Sequence, residues 1–189
     1  METEQQITDF EAVAKDLENQ ELEAPGGVAN AVVYGKLLCI YLLQNDTCNA
    51  KFLWKRIPQQ VKTGSTELAQ VWAVGQKMWQ RDFPGMYEAL QKDWTEPYKD
   101  IMTAVLEATR KRAFGLVAQA YSSINAEEFA AYMGMPINDA VKAAQNEGWQ
   151  ADPNTRLVTP KKIAPPSDPV LANEQQLSVL TDYVSFLES

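Results

Sequence analysis

The sequence predicts a mainly α-helical protein with stacked helical hairpins, a small module of short helices and a β-hairpin, and a separate last helix. Three observations lead to this prediction. Apolar residues recur at helical spacing through the first part of the chain, where no strand pattern occurs before residue 120. Three short helical patterns and a hairpin pattern follow. A Pro-rich stretch then separates the last amphipathic segment from the rest.

The first three predicted helices are delimited by capping residues and helix breakers. Thr8 and Glu11 form a capping box for the first helix, which stops before the turn Pro25-Gly26-Gly27. The second helix follows this turn. The third ends at Pro58, which cannot continue it, and we expect a loop over 61–65.

Three further helices complete the predicted stack. The fourth carries Trp72 and Trp79 on its apolar face, and we expect both to be deeply buried. Asp82 and Pro84 open the fifth helix, and Thr95 caps the sixth. Together these segments predict a stack of antiparallel hairpins.

Residues 113–162 are predicted to form a winged-helix subdomain, a variant of the helix-turn-helix. The pattern changes after residue 112, where a new apolar helix is expected. Asn125 and Glu128 make a capping box for the next helix, which Gly134 ends. Pro136 starts the third helix. An Asp-Pro-Asn turn flanked by short extended segments then gives the hairpin.

The last helix presents more apolar surface than one contact would cover. Two neighbouring stripes consist of Leu177, Leu180, Val184 and Leu187, and of Val179, Tyr183 and Phe186. The Pro-rich stretch before it is stiff and extended, which gives the helix reach. We therefore interpret it as a helix that packs against other proteins, in preference to a core helix of its own domain. The predicted divisions are 1–112, 113–162, the linker 163–172 and the last helix 173–189.

Composition argues against catalysis by this chain. The 189 residues include no histidine, which is the commonest general base near neutral pH and the commonest metal ligand in enzymes. Two cysteines cannot build a structural zinc site, and no Gly-rich phosphate loop or Ser-x-x-Lys motif occurs. We expect no cofactor and no metal. Cys39 and Cys48 are interpreted as small buried hydrophobes.

Charge and hydropathy indicate protein partners. The formal net charge of −8 and the pI near 4.6 disfavour nucleic acid and anionic membranes. No apolar run approaches the roughly 20 residues that span a bilayer, and the N-terminus lacks the pattern of a signal peptide. We expect the protein in the cytoplasm and the nucleus.

A nucleic-acid-binding winged helix is the main alternative from another class. Such modules often place the third helix in the major groove. Between Pro136 and Trp149, this helix has two acidic residues, Asp139 and Glu147, and one basic residue, Lys142. Its net negative charge favours a role in packing against proteins. Basic residues gather instead in two clusters, which are either solvated helix faces or a patch for an acidic protein surface. These clusters are Lys51, Lys55 and Arg56, and Arg110, Lys111 and Arg112.

The order of a helical stack, a winged helix and a tethered helix resembles the PCI domain of proteasome lid, signalosome and translation initiation factor subunits. Five stretches sharpen this resemblance: ENQELEAPGG, LWKRIP, WQRDFPGMYEAL, EGWQAD and NEQQLSVLTDYVSFLE. They resemble the subunit-eight family of the COP-nine signalosome, and the match covers nearly the whole chain. The linker is shorter than in longer members. Related subunits of the proteasome lid or of initiation factor three remain an alternative.

The resemblance implies a role in assembly. The complex removes the ubiquitin-like modifier Nedd-eight from cullin-RING ubiquitin ligases with a zinc site on another subunit. In that family, winged helices associate through their β-elements and the C-terminal helices gather into one bundle. The partners would then be other signalosome subunits, without nucleic acid or membrane. For this sequence, the resemblance implies a sheet-pairing edge formed by Arg156, Leu157, Val158 and Thr159. It also implies that the bundle contacts are Leu177, Leu180, Tyr183, Val184 and Leu187.

Overall fold

The protein is mainly α-helical with one small sheet, as the sequence predicts. A computed structural model describes residues 2–152, 155–161 and 173–188. The predicted linker at 163–172 and the centre of the predicted hairpin turn at 153–154 lie outside these ranges. The elements are α1 (Glu2–Leu22), a 3-10 turn (Pro25–Gly27), α2 (Ala31–Leu43), α3 (Thr47–Arg56), α4 (Gln59–Gly64), α5 (Thr66–Gln80), α6 (Phe83–Leu90), α7 (Glu96–Ala120), β1 (Ile124–Asn125), α8 (Ala126–Met133), α9 (Ile137–Asn146), β2 (Gln150–Asp152), β3 (Leu157–Thr159) and α10 (Asn173–Glu188).

Helix α2 forms the centre of the larger hydrophobic core. Nine of its 13 residues are buried, so it is apolar on all sides and lies within the core. It packs against α1, α3, α5 and α7. The tightest approach is at Gly35, where a Cβ atom would come within 2.5 Å of the Tyr98 hydroxyl oxygen on α7.

A second, smaller core joins the end of α7 to α8, α9 and the sheet. Phe129, Ala140 and Ala144 are fully buried in it, with Trp149 and Val158 beside them. Aromatic rings fill much of this core, and the ring centroids of Phe129 and Trp149 are 5.4 Å apart. The core therefore holds two short helices and three short strands together.

Helix α7 is continuous through the point where the sequence suggested a break. The prediction of a new helix after Arg112 is wrong, because α7 runs from Glu96 to Ala120. The residues around this point, Ala-Thr-Arg-Lys-Arg-Ala, include no helix breaker. One helix thus supplies side chains to both cores.

The sheet has the strand order β1-β3-β2, with both pairings antiparallel. Ile124 pairs with Val158, and Val158 also faces Ala151 on the other side. The hairpin of β2 and β3 is the one that the sequence indicates. Strand β1 was not predicted, since two residues are too few to show a period of alternation.

Several predicted helix boundaries are confirmed by their caps. The side chain of Asp82 accepts a hydrogen bond from Gly85 N at 3.1 Å, and that of Asn125 accepts one from Glu127 N at 2.9 Å. Gly134 ends α8 in the left-handed conformation, with φ of 61°. Pro136 directly precedes α9.

Two boundaries differ from the prediction. Helix α1 begins at Glu2, so Thr8 lies inside it. The preceding Glu and Gln residues favour helix and extend it toward the N-terminus. The expected loop over 61–65 is mostly helix α4, which starts directly after Pro58.

Three residues are less buried than predicted, namely Trp72, Trp79 and Cys48. Trp72 is half-buried and Trp79 is 51% exposed, although both were expected in the core. The ammonium group of Lys51 lies 4.3 Å from the centroid of the Trp79 ring and covers one face of it. Cys39 is buried as expected, and burial raises the pKa of its thiol. Cys48 is exposed, because it lies in the first turn of α3 and points away from the core.

Candidate protein-interaction surfaces

Helix α10 presents its apolar side chains to solvent. The predicted bundle residues are all more than half exposed, at 62% for Leu177, 60% for Leu180, 63% for Tyr183, 52% for Val184 and 81% for Leu187. Val179 and Phe186 of the second stripe are exposed as well. Contiguous exposed apolar surface of this kind marks an interaction site in a globular protein.

The polar residues of α10 lie on the other side of the helix. At about 100° per residue, Ser178, Thr181 and Ser185 project away from both apolar stripes. The Thr181 hydroxyl donates a hydrogen bond to the Leu177 carbonyl oxygen at 2.8 Å and so stays on the helix backbone. The helix is therefore amphipathic, with one wide apolar face that is exposed in the described structure.

The second predicted partner segment, Arg156–Thr159, does not form a sheet edge. Strand β3 lies between β1 and β2 and pairs on both sides, so its backbone groups are already used. Val158 is buried in the small core, whereas Leu157 is 38% exposed. The edge assignment is wrong because β1, which was not predicted, occupies the position beside β3.

Arg156 has a structural role at the entrance to β3. It adopts a left-handed backbone conformation with φ of 55°, and its carbonyl oxygen accepts a hydrogen bond from Ala126 N at 2.9 Å. Its guanidinium group approaches a carboxylate oxygen of Glu127 at 3.4 Å, with both side chains exposed. An exposed pair of this kind contributes little stability. The unpaired edges of the described sheet belong to β1 and β2.

Helix α9 carries few basic groups on its exposed surface. The side chains of Asp139, Lys142 and Glu147 are all exposed on this part of the small module. The acidic balance expected from the sequence therefore lies at the surface, where it disfavours contact with a phosphate backbone.

Other kinds of site find no support within the described ranges. No group of three or more Cys, Asp or Glu side chains there could hold a metal ion. Within the same ranges, no helix combines the length and apolar character needed to cross a membrane.

Comparison with known families identifies the family of this chain. The sequence profile of the CSN8/PSMD8/EIF3K family matches residues 28–167, which include α2 to α9 and the sheet. This chain belongs to the CSN8/PSMD8/EIF3K family.

Relatives within the CSN8/PSMD8/EIF3K family match over almost the full chain. A protein of Danio rerio named COP9 signalosome complex subunit 8 is 56% identical, over 95% of this chain and 94% of its own length. The protein of the same name in Xenopus tropicalis is 54% identical, over 95% of this chain and 94% of its own length. Another of that name, in Arabidopsis thaliana, is 36% identical over 78% of this chain and 75% of its own length. This chain is similar to these proteins across vertebrates and plants.

Proposed function

We propose that this protein is a non-catalytic scaffold subunit of the COP9 signalosome. The observation that carries the proposal is the similarity at 53–56% identity to proteins named COP9 signalosome complex subunit 8, over most of the chain. In such a complex the chain would support removal of Nedd-eight from cullin-RING ubiquitin ligases. The chemistry would belong to another subunit, and the complex would act in the cytoplasm and the nucleus.

The alternatives are less favoured. The family name includes subunits of the proteasome lid and of initiation factor three, but the relatives named above carry the signalosome name. A nucleic-acid-binding role would require a basic surface on α9, but Asp139 and Lys142 are exposed on this helix and Glu147 is exposed directly after it.

Two surfaces would carry the assembly role. Helix α10 would bury its apolar face in a bundle with helices of other subunits, and each large side chain buried there contributes about 1.5–3 kcal/mol. Helices α8 and α9 with the three-stranded sheet would act as a winged helix, which would pair through one of its outer strands, β1 or β2, in place of residues 156–159. A short edge strand contributes few hydrogen bonds, so we assign most of the binding energy to α10.

Replacement of Leu180 and Val184 by Asp tests the role of α10. Both side chains are more than half exposed in the isolated chain, so the double variant should fold normally, with an unchanged circular dichroism spectrum. It should fail to co-purify with the other signalosome subunits, because two carboxylates would have to be buried in the bundle. The measurement is affinity purification of the tagged chain, followed by mass spectrometry of the proteins retained.

The matched control places the same charges on the opposite face of the same helix. Ser178→Asp with Ser185→Asp also adds two carboxylates, but on the polar face of α10, and should leave co-purification intact. Equal retention of signalosome subunits by both double variants would contradict the bundle assignment. Retention of proteasome lid or initiation factor subunits by the wild-type chain would contradict the proposed complex.

A further inference from the structure

A pocket opens in the helical stack, close to the part of α7 that enters the smaller core. It has a volume of about 600 Å³ and lies between the start of α3, the turn from α5 to α6, and the middle of α7. The side chains that matter for its chemistry are Lys77, Trp79, Arg81, Phe83, Arg112 and Leu116. None of them belongs to α10 or to the sheet, so the pocket is separate from both surfaces described above.

The pocket is positively charged within an acidic protein. Three cations and one carboxylate line it, and the carboxylate of Asp82 is paired with Lys77 at 2.7 Å. This leaves Arg81 and Arg112 as the excess charge. The chain as a whole carries a net charge of −8, so the sign of the pocket is opposite to that of its surroundings.

The two arginines are held without a carboxylate partner in the described structure. Arg112 donates hydrogen bonds to the Leu43 carbonyl oxygen at 3.0 Å and to Thr109 Oγ1 at 3.2 Å, and both acceptors are neutral. Burial lowers the pKa of Arg112. Arg81 is exposed at the C-terminal end of α5, and its side chain makes no hydrogen bond or ion pair with any described residue.

Large apolar side chains border the same pocket. Trp79 is 51% exposed and Leu116 is 56% exposed, although most apolar residues of their helices face the core. The Lys51 ammonium group covers one face of the Trp79 ring at 4.3 Å and adds another positive charge beside the pocket. Tryptophan and arginine are among the residue types most enriched at the energetic centres of protein interfaces.

We infer that this pocket binds an acidic segment of a partner protein. A large apolar side chain of that segment would pack against Trp79 and Leu116, while flanking carboxylates pair with Arg81 and Arg112. A phosphate group alone would leave the apolar border unused. In addition, a backbone N–H group in the first turn of α3 and one in the first turn of α6 already donate hydrogen bonds to Asp46 and Asp82, so these two groups are not free to bind a phosphate. The negative charge of the remaining surface would repel acidic segments elsewhere and so orient the partner.

Selection of short random peptides on the immobilised full chain tests this inference. Recovered peptides should combine two or more Asp or Glu residues with a large apolar residue. Their affinity should fall as salt is added, because the pairing is electrostatic. Arg81→Glu and Leu116→Ser should each weaken binding by about tenfold or more, measured by fluorescence polarisation of the labelled peptide. Both replaced side chains are exposed, so the variants should remain folded.

Two control variants show whether peptide binding depends on this pocket. Lys111→Glu makes the same charge change in the basic run of α7 but outside the pocket, and should leave peptide affinity unchanged. Leu180→Asp with Val184→Asp disrupts only the apolar face of α10, and should also leave it unchanged. The inference about the pocket can therefore be wrong while the proposed function is correct. The proposed function can likewise be wrong while the inference about the pocket is correct.

Three outcomes would overturn the inference. The first is recovery of peptides without acidic residues, or of no binding peptide. The second is equal binding by wild type and Arg81→Glu. The third is complete displacement by inorganic phosphate at an ionic strength where chloride has no effect, which would indicate an anion site without need of a peptide.

Discussion

At the scale of single residues, two buried tyrosines differ in what their hydroxyl groups do. The Tyr34 hydroxyl oxygen accepts a hydrogen bond from Ala29 N at 3.2 Å and so satisfies a buried backbone donor. The Tyr87 hydroxyl group is buried without a hydrogen-bond partner among the described residues. Burial raises the pKa of Tyr87 to about 12, and its ring lies 5.8 Å from the Arg110 guanidinium carbon. Burial alone therefore does not tell which hydroxyl group stabilises the fold.

We predict that removing the Tyr34 hydroxyl group costs more stability than removing the Tyr87 hydroxyl group. Tyr34→Phe should lower the free energy of unfolding by about 1–3 kcal/mol, because it leaves the Ala29 N–H buried and unsatisfied. Tyr87→Phe should change it by less than about 1 kcal/mol, since no protein hydrogen bond is lost. Urea unfolding of both variants gives the comparison, provided that the m-values stay equal. A loss for Tyr87→Phe as large as that for Tyr34→Phe would contradict the assignment.

At the scale of elements, close contact between α2 and α7 depends on one glycine. Gly35 faces the ring of Tyr98, and an added Cβ would lie 2.5 Å from the hydroxyl oxygen and 2.6 Å from a ring carbon. Tyr98 is only 2% exposed, so it has little space to move away. Gly115, on α7 itself, has no heavy atom within 4 Å of the position that a Cβ would take. The two glycines thus differ in packing although both lie in helices.

Alanine substitutions at these two glycines should act in opposite directions. Gly35→Ala should reduce stability by about 1–3 kcal/mol, because overpacking forces Tyr98 and α7 outward. Gly115→Ala should increase it by about 0.5–1 kcal/mol through helix propensity alone. Thermal unfolding followed by circular dichroism measures both. Stabilisation by Gly35→Ala would show that α7 does not approach α2 as closely as described.

The elements also show how far the sequence could predict this fold. Periodicity and capping residues identified most helices, since Asp82, Asn125 and Gly134 mark boundaries by local hydrogen bonds and backbone conformation. Strand β1 was not predicted because its two residues are too few to show a sequence pattern, and their strand conformation depends on pairing with β3. The edge role given to residues 156–159 failed for the same reason. Trp79 is exposed and contacts Lys51 of another helix, an arrangement that no local pattern could reveal.

At the scale of the whole molecule, the two hydrophobic cores are physically connected. Helix α7 supplies Val105 to the larger core and Ala113 to the smaller one, and Phe83 packs against both. Hydrogen bonds reinforce the connection, since Arg112 reaches the Leu43 carbonyl oxygen of α2 and Arg110 donates to the Met133 carbonyl oxygen of α8 at 3.2 Å. Loss of one core would remove part of the packing that holds α7, so we expect the cores to unfold together.

Substitution of Phe129 tests this cooperativity. Phe129 is fully buried in the smaller core, and Phe129→Ala should reduce the free energy of unfolding by about 3–5 kcal/mol. If the cores unfold together, the slowest-exchanging amides of α2 should lose protection by the same free energy as those of α8 in native-state hydrogen exchange. Ile137→Ala, at a 45% exposed position of the same module, serves as the control and should change both by about 1 kcal/mol or less. In the Phe129 variant, the amides of α8 could instead lose protection while those of α2 keep the protection of the wild type. This result would show that α7 can lose its last turns while the helical stack stays folded.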